Sequence, residues 1–434
     1  MKTTATARVL STRDPATRRE LQRIGENHYL LMCPNVEIGF EVARVRRDRF
    51  GELRADLDVH CGLSGSQSFE GILDSFAGFA LSNPRARHET GRRLQAKARI
   101  STTEIDLSNL LDELHLRVRR AMLDGDGAVC LADVPRPPAD DGFHVDGLPL
   151  LKRLPNLWAA FGGVGKTTLA LYVAGRLKQQ GVNVAFVDWE MDAIDHRPKL
   201  EALFGADMPR FEYIRATQPL VFEVEKIQQL GHKKAIGFYV MDSAGPAAQG
   251  SLKDEESAIG YYRALRTLNR GSLTLAHVPK PKDGFENQES PFGSVFWTNL
   301  ARSVWHLKPG DSTPDSNSIT VGFFHKKSNT SRLHNPIGFE LTFSSDERIN
   351  VRRVDLANVE GLATHLPMRQ RIQNALRNGF KSISEIALEL EAKEDTVKRT
   401  INRYSTGRVI LFAKVPSTDG IDRIGNAETR RNPS

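Results

Sequence analysis

Nothing in the sequence approaches the roughly 20 consecutive apolar residues that a membrane-spanning helix needs. The 40% of apolar residues are dispersed among 26% charged ones, so a membrane span is excluded on length. Cysteine is scarce. Cys33, Cys61 and Cys130 are odd in number, far apart and without CxxC spacing, which excludes a disulfide framework and a cysteine zinc site and points to a reducing, cytoplasmic setting. No repeat is visible. The first stretch, MKTTATARVLSTR, is basic, hydroxyl-rich and free of acid until Asp14, the composition of either a transit peptide or a frayed, solvated terminus. The second reading is preferred here, with residues 1–20 expected to be disordered.

Charge of one sign does not dominate either. The net charge of +7 is modest for 434 residues, but it is unevenly placed. Residues 1–150 carry 21 basic and 22 acidic side chains, residues 151–365 carry 26 and 23, and residues 366–434 carry 13 and 8. The shortest piece holds most of the excess, as a small nucleic-acid-binding module would or as a solvated basic tail would. A chain of this length exceeds one hydrophobic core and implies two or three domains.

Apolar residues at a period near two in IGFEVARVRRD and GELRADLDVH, after HYLLMCP, read as three strands. Helical spacing follows in PRARHETGRRLQAKARI and LSNLLDELHLRVRRAML, with Asp106 or Ser108 as N-cap, giving an α+β domain over residues 21–132. DVPRPPADDGFHVDG is rich in Pro and Asp without periodicity and is read as a linker over 133–149. From Leu154 to about Phe343 short apolar runs alternate with amphipathic helices, the pattern of a mostly parallel sheet covered on both faces. The expected strands are NLWAAF, VNVAFVDW, FEYIRA, AIGFYVMD and SLTLAHV, and ARSVWHLK, SITVGFFHKK, GFELTF and INVRRVD should extend the sheet as antiparallel strands. The fold class is therefore α/β, with the core over 150–356.

Within that core, AFGGVGKTT from Ala160 to Thr168 matches the phosphate-binding loop pattern GxxxxGK[ST] except that Ala160 replaces the first glycine. A buried strand leads in and an amphipathic helix leads out, where the mechanism needs the loop. Gly162, Gly163, Val164 and Gly165 would present backbone N–H groups to ATP, joined by the positive end of the helix. Lys166 would reach the β and γ phosphates, Thr167 would hold Mg²⁺ through its hydroxyl, and Thr168 would lie near the α phosphate. The bland alternative is a glycine-rich turn with an exposed lysine. Asp242, at the end of AIGFYVMD, is the candidate for the Mg²⁺ side, with Ser243 assisting through water. VNVAFVDWEMD ends in Asp188 and Glu190, and Glu190 is the candidate base for the attacking water; a helix cap or solvated strand end is the other reading. His277, closing SLTLAHV, is either a γ-phosphate sensor or a hydrogen-bonded strand-end histidine.

From Leu150 to Val354 these residues resemble the RecA-like ATPases, and within them the hexameric helicase branch typified by the plasmid helicase RepA and by DnaB. The resemblance rests on GGVGKTTLAL, VDWEMD, YVMDS, AHVPK with PFGSVFWTNLARSVWHL, and FFHKKSN with GFELTF. It implies a homo-oligomer, with a hexameric ring as that branch's form, and a basic residue reaching the neighbouring subunit's nucleotide. By position that residue is Lys326 or Lys327. The branch usually carries an arginine two places after the lysine, where this chain has Ser328, so a lysine or the later Arg332 must serve.

Beyond the core, LPMRQRIQNALRNG, SISEIALELEAK and EDTVKRTINRY read as three helices with a tight turn at Glu391 to Glu394, a helix-turn-helix spacing over 366–434. RVILFAKV and IDRIG would form a wing. The third helix should expose Thr396, Lys398, Arg399, Asn402 and Arg403 to DNA and turn Val397 and Ile401 inward; protein interaction is the alternative role. The polar loops SAGPAAQGSLKDEES and PKPKDGFENQESPF follow Asp242 and His277, and the resemblance would direct them into a central channel, where Lys280 and Lys282 would meet a nucleic-acid backbone. The sequence thus points to ATP-driven work on single- or double-stranded DNA in replication or recombination, with a phage, plasmid or other mobile element as one setting for it. The alternatives are an ATP-switched DNA-binding regulator or loader and, fitting the loop but not the helix-turn-helix, a small-molecule phosphotransferase.

Overall fold

The computed structural model describes residues 19–427 apart from 26, 49, 125–127, 139–140, 279–293, 312–315, 360, 407–408 and 416–421. The chain divides into two compact units, Met1–Arg136 and Pro137–Ser434. Most of the stretch expected to be a disordered N-terminus, 1–18, lies outside the described residues.

In the first unit β1 (Leu21–Gly25), β2 (His28–Cys33), β3 (Ile38–Arg47), β4 (Leu53–Cys61) and β5 (Ile72–Ala80) form an antiparallel meander paired in sequence order. Alternation drives it: Leu53, Ala55, Leu57, Val59 and Cys61 of β4 are buried while the residues between them are half-exposed. Two helices, α1 (Pro84–Ala98) and α2 (Leu107–Asp124), cover the buried face through Leu94, Ala98, Leu110, Leu111, Leu114 and Val118. Asn83 caps α1 by accepting from the N–H groups of Arg85 and Ala86. Asp106 caps α2, its Oδ1 accepting from Ser108 N (2.8 Å) and Asn109 N (3.3 Å). Five strands stand where the sequence suggested three. β1 is a largely exposed edge, and β5 pairs with β4 through register shifts that break its alternation, so neither shows a clean period.

The second unit begins with the hairpin β6 (Gly142–Val145) and β7 (Leu148–Leu151), in a stretch whose proline content suggested only a linker. Asp146 and Gly147 both adopt positive φ, 47° and 81°, the Asp-Gly turn that suits a two-residue hairpin. Val145 and Leu148 are fully buried in the main core, which explains why the hairpin orders.

The main sheet then takes shape from β8 (Pro155–Ala160), α3 (Lys166–Gln179), β9 (Val184–Asp188), α4 (Ala193–Phe204), β10 (Glu212–Arg215), α5 (Leu220–Lys233), β11 (Phe238–Asp242), the short α6 (Ala244–Ala247), α7 (Glu255–Thr267) and β12 (Gly271–His277). It continues through α8 (Val295–Leu300), β13 (Ser303–Pro309), β14 (Ser318–Ser328), β15 (Ile337–Phe343) and β16 (Ile349–Val354). The order is β10-β9-β11-β12-β8-β13-β14-β15-β16. This is the mostly parallel α/β sheet with helices on both faces. Along β8, Leu157 packs with α5 and α7 on one face and Trp158 with α3 on the other, which is why these strands read as unbroken apolar runs. One expectation needs correction. β13 runs parallel to β8, and only β14, β15 and β16 are antiparallel extensions. The helix α8 precedes β13 and supplies the crossover that a parallel return requires.

The chain ends in three helices, α9 (Met368–Ala375), α10 (Ile383–Glu389) and α11 (Glu394–Arg403), and a hairpin of β17 (Phe412–Val415) with β18 (Arg423–Asn426). Ile372, Leu376, Ile386, Val397, Ile401, Phe412 and Ile424 form its core. Ser382 and Glu385 make a reciprocal capping box on α10, and Lys381 bridges to Ile424 between α9 and α10.

Candidate nucleotide site

The glycine loop joins the end of β8 to α3, and its conformation depends on glycine at two places. Gly163 and Gly165 have φ of 79° and 84°, a left-handed region costly for residues with a Cβ. Gly165 is the N-cap of α3 and supplies no side chain to the first-turn N–H groups, so that end of the helix is open to an anion. A Cβ on Gly162 or Gly163 would meet nothing within 4 Å, which leaves room above the loop for a phosphate. Val164 is buried in the core and can offer a ligand only its backbone.

Lys166 is turned inward. Its ammonium donates to the carbonyls of Ala160 (3.2 Å) and Phe161 (2.9 Å) and lies 3.4 Å from His277 Nδ1. Burial lowers its pKa to about 8, against the opposing attraction of Asp242 and Glu190. Thr167 donates its hydroxyl to Asp242 Oδ2 at 2.7 Å, although 75 residues separate the two. Burial raises the Asp242 carboxyl to about 6, with the charges of Asp188 and Glu190 adding to the rise and the Thr167 hydrogen bond opposing it. A desolvated carboxylate held against a hydroxyl beside a phosphate cradle is a donor pair suited to Mg²⁺, which takes few protein ligands and keeps its waters and substrate phosphates. No group of three or more His, Cys, Asp or Glu that could hold a metal occurs among the described residues.

The acids at the ends of β9 and β11 lie side by side because the strands pair in register, Asp188 opposite Asp242. Asp188 is buried and holds the turn that follows: its Oδ1 accepts from Glu190 N (2.8 Å) and Met191 N (3.2 Å), and its Oδ2 contacts His196 Nε2 and accepts from the Tyr213 hydroxyl (3.4 Å). Burial alone would push the Asp188 carboxyl up, but these hydrogen bonds, His196's foremost, hold it below its usual range. Glu190, thus aimed back over the sheet edge, accepts a short hydrogen bond from the Ser243 hydroxyl and stands 3.9 Å from His277 Nε2. Burial and the Lys166 charge keep His277 below the ordinary imidazole range, against the pull of Glu190. Lys166, Thr167, Glu190, Asp242, Ser243 and His277 therefore converge on one edge of the sheet. His196 and Tyr213 were not legible from the sequence, since they reach Asp188 from α4 and β10 and share no motif with it.

The remaining candidates lie elsewhere. Lys327 donates to the carbonyls of Thr298 (3.0 Å), Asn299 (2.6 Å) and Ala301 (2.9 Å), so its ammonium caps the C-terminal end of α8. Lys326 and Arg332 are exposed. On α11, Thr396, Lys398, Arg399, Asn402 and Arg403 are exposed, while Val397 and Ile401 are buried. Lys280 and Lys282 lie outside the described residues. No helix among the described residues is long and apolar enough to cross a membrane.

No protein-family model matches the chain, and no curated protein matches it. Solved structures similar to it include a KaiC-like protein from the hyperthermophilic archaeon Pyrococcus horikoshii OT3, 17% identical over 47% of this chain and 91% of that one, with a TM-score of 0.37. The flagellar accessory protein FlaH from Methanocaldococcus jannaschii is 10% identical over 46% and 90%, with a TM-score of 0.34. A third solved structure, an isolated ATPase domain, is 14% identical over 56% of this chain and 99% of that domain, with a TM-score of 0.38.

Proposed function

We infer that the chain is a RecA-like P-loop ATPase that binds ATP with Mg²⁺ at the loop from Ala160 to Thr168 and couples hydrolysis to work on DNA, as a helicase or translocase acting in a homo-oligomer. The observation that carries the reading is the 2.7 Å contact of Thr167 with Asp242 at the mouth of an open glycine loop, with Glu190 and His277 gathered at the same edge. Mg²⁺, when bound, neutralises charge on the β and γ phosphates. Thr167 and Asp242 would hold it. Lys166 would exchange the carbonyls of Ala160 and Phe161 for phosphate oxygens, charged acceptors that bind an ammonium more strongly than neutral carbonyls do. Glu190 would take the proton of the attacking water, its carboxylate steadied by Ser243 and its backbone by Asp188. Neutral His277, bridging Lys166 and Glu190, would report the γ phosphate by re-forming its hydrogen bonds.

The C-terminal module is read as a winged helix, with α11 and the β17–β18 hairpin as its DNA-facing parts. Lys326, Lys327 or Arg332 would supply the contact to a neighbour's nucleotide. A second reading, an ATP-switched DNA-binding regulator or loader without unwinding, is favoured by one observation: Lys327 is spent on α8, and Ser328 stands where the resembling branch offers an arginine. Phosphate release from ATP, strand separation and particle mass, each measured with and without single-stranded DNA, test the proposal. DNA-stimulated hydrolysis with unwinding by a multi-subunit particle supports the helicase, stimulated hydrolysis without unwinding supports the regulator, and a phosphorylated small product would refute both.

A further inference from the structure

Between the end of β14 and the C-terminal module lies a cleft of ≈ 510 Å³. Its core wall is Phe324, His325 and Lys326 with the connection through Leu333 to Pro336; its other wall comes from the start of α9 and one flank of α11. Helical spacing explains that flank. Arg399 and Arg403 are one turn apart, as are Thr400 and Tyr404, and all four line the cleft, while Lys398 and Asn402, also one turn apart, occupy the other flank. The helix therefore turns two arginines toward the core and Lys398 away from it.

Lys326, Arg369, Arg399 and Arg403 converge there, and among the described residues no acidic side chain lines the cleft. Two of the guanidinium groups are held in place. Arg369 donates to Asn335 Oδ1 at 2.7 Å, and the guanidinium carbons of Arg369 and Arg403 each lie 5.8 Å from the centroid of the Tyr404 ring. Two like charges fixed on one aromatic ring repel each other, and an anion entering the cleft relieves that repulsion. The histidine wall does not titrate in step with them: His325 is stacked on Trp305 at 4.2 Å and engaged by Ser303 and by the His334 N–H, and burial, then His334, lowers its pKa to about 4.

We propose that this cleft binds the phosphodiester backbone of a single nucleic-acid strand, gripped between Lys326 of the core and Arg369, Arg399 and Arg403 of the C-terminal module. The volume suits a ligand of about one or two nucleotides and is too small for a duplex. Planar guanidinium forks match phosphate oxygens in pairs, and a strand running between the two parts would tie the position of α11 to the ATPase sheet. The inference rests on the reading that the protein works on DNA, and it goes further by assigning the basic flank of α11 to a single strand rather than to a duplex groove.

The test is fluorescence anisotropy of labelled oligothymidylate and of a duplex of equal length with the full chain, titrated at several salt concentrations. The R399Q/R403Q pair is compared with the K398Q/N402A pair from the opposite flank. Loss of two single-strand phosphate contacts lowers the slope of log affinity against log salt by about 1.4. The expected result is that loss for oligothymidylate with R399Q/R403Q, at least roughly tenfold weaker binding near 100 mM salt, unchanged basal ATP hydrolysis as proof of folding, and little effect of K398Q/N402A. An unchanged slope with R399Q/R403Q, or an equal loss with K398Q/N402A, overturns the cleft while leaving DNA binding intact. Displacement of the strand by polyglutamate at equal charge would assign the cleft to an acidic protein segment and overturn it too. A wild-type chain that hydrolyses ATP but binds neither nucleic acid with salt dependence overturns the DNA reading itself.

Discussion

Replacing Asp242 with Asn should stabilise the nucleotide-free protein while disabling it. The Asp242 carboxyl is buried, and its pKa is raised from 3.8 to about 6. Between those values the folded protein keeps a proton that the unfolded chain has released, so the carboxyl's contribution to stability falls as pH rises. The penalty is near zero below pH 4, about 1.5 kcal/mol at pH 5 and about 3 kcal/mol above pH 7. Asparagine has no charge to desolvate, and its Oδ1 can still accept the Thr167 hydroxyl. Losing the attraction between Asp242 and Lys166 offsets part of the gain, leaving ~1–2 kcal/mol at pH 7.5. At roughly 2–4 °C per kcal/mol for a domain of this size, Tm should rise by about 3–6 °C at pH 7.5 and by less at pH 5. Thermal unfolding of both proteins without nucleotide at the two pH values measures this. Mg²⁺ with ATP should then raise the Tm of the wild type and not that of the variant. A variant less stable than wild type at pH 7.5, or a gain that does not shrink toward pH 5, would refute the reasoning.

Three further outcomes are expected. On the proposal that the Lys166 ammonium grips ATP, its pKa of about 8 in the free protein makes affinity flat below about pH 7.5 and weaker by up to tenfold per unit above 8; calorimetric titration that finds constant affinity from pH 7 to 9.5 contradicts this. His196→Ala removes a donor from the buried Asp188 carboxylate, which should cost ~3 kcal/mol of stability and, by loosening the turn that carries Glu190, lower kcat about 10- to 100-fold with ATP affinity kept, His196→Gln recovering part; an unaltered kcat in His196→Ala would mean the clamp does not position Glu190. Lys327→Met strips three carbonyls at the C-terminal end of α8 of their donor and should cost about 2 kcal/mol in denaturant unfolding with hydrolysis by the assembled protein retained; full stability with lost hydrolysis would make Lys327 a contact between subunits.

What the sequence discloses and what it hides follow from range. The glycine loop, its lead-in strand and its helix are contiguous, so spacing alone sets out the phosphate cradle. Asp188, Glu190 and Asp242 are visible because buried parallel strands are short apolar runs that end in a polar residue at the same sheet edge. Contacts formed by the fold are not visible in this way. His196 is an ordinary helix position until α4 packs it on Asp188, and Lys327 belongs to a basic pair until β14 lays it beside the end of α8. The direction of β13 depends on the crossover through α8, which the strand pattern does not encode. In the β6–β7 hairpin, three prolines and a pair of aspartates upstream masked an Asp-Gly turn flanked by Val145 and Leu148. The basic cleft is hidden for the same reason, since its walls come from residues 324–336 and 365–404.

The central claim is that this edge of the sheet hydrolyses ATP with Glu190 as the base. Its most direct test is phosphate release from ATP and Mg²⁺ by the wild type and by Glu190→Gln, with nucleotide binding measured on the same samples. Wild-type turnover, reduced at least about a hundredfold in Glu190→Gln with ATP affinity within about twofold, is the predicted result. Equal turnover in the two proteins would contradict the account, and loss of ATP binding in Glu190→Gln would make Glu190 a structural residue.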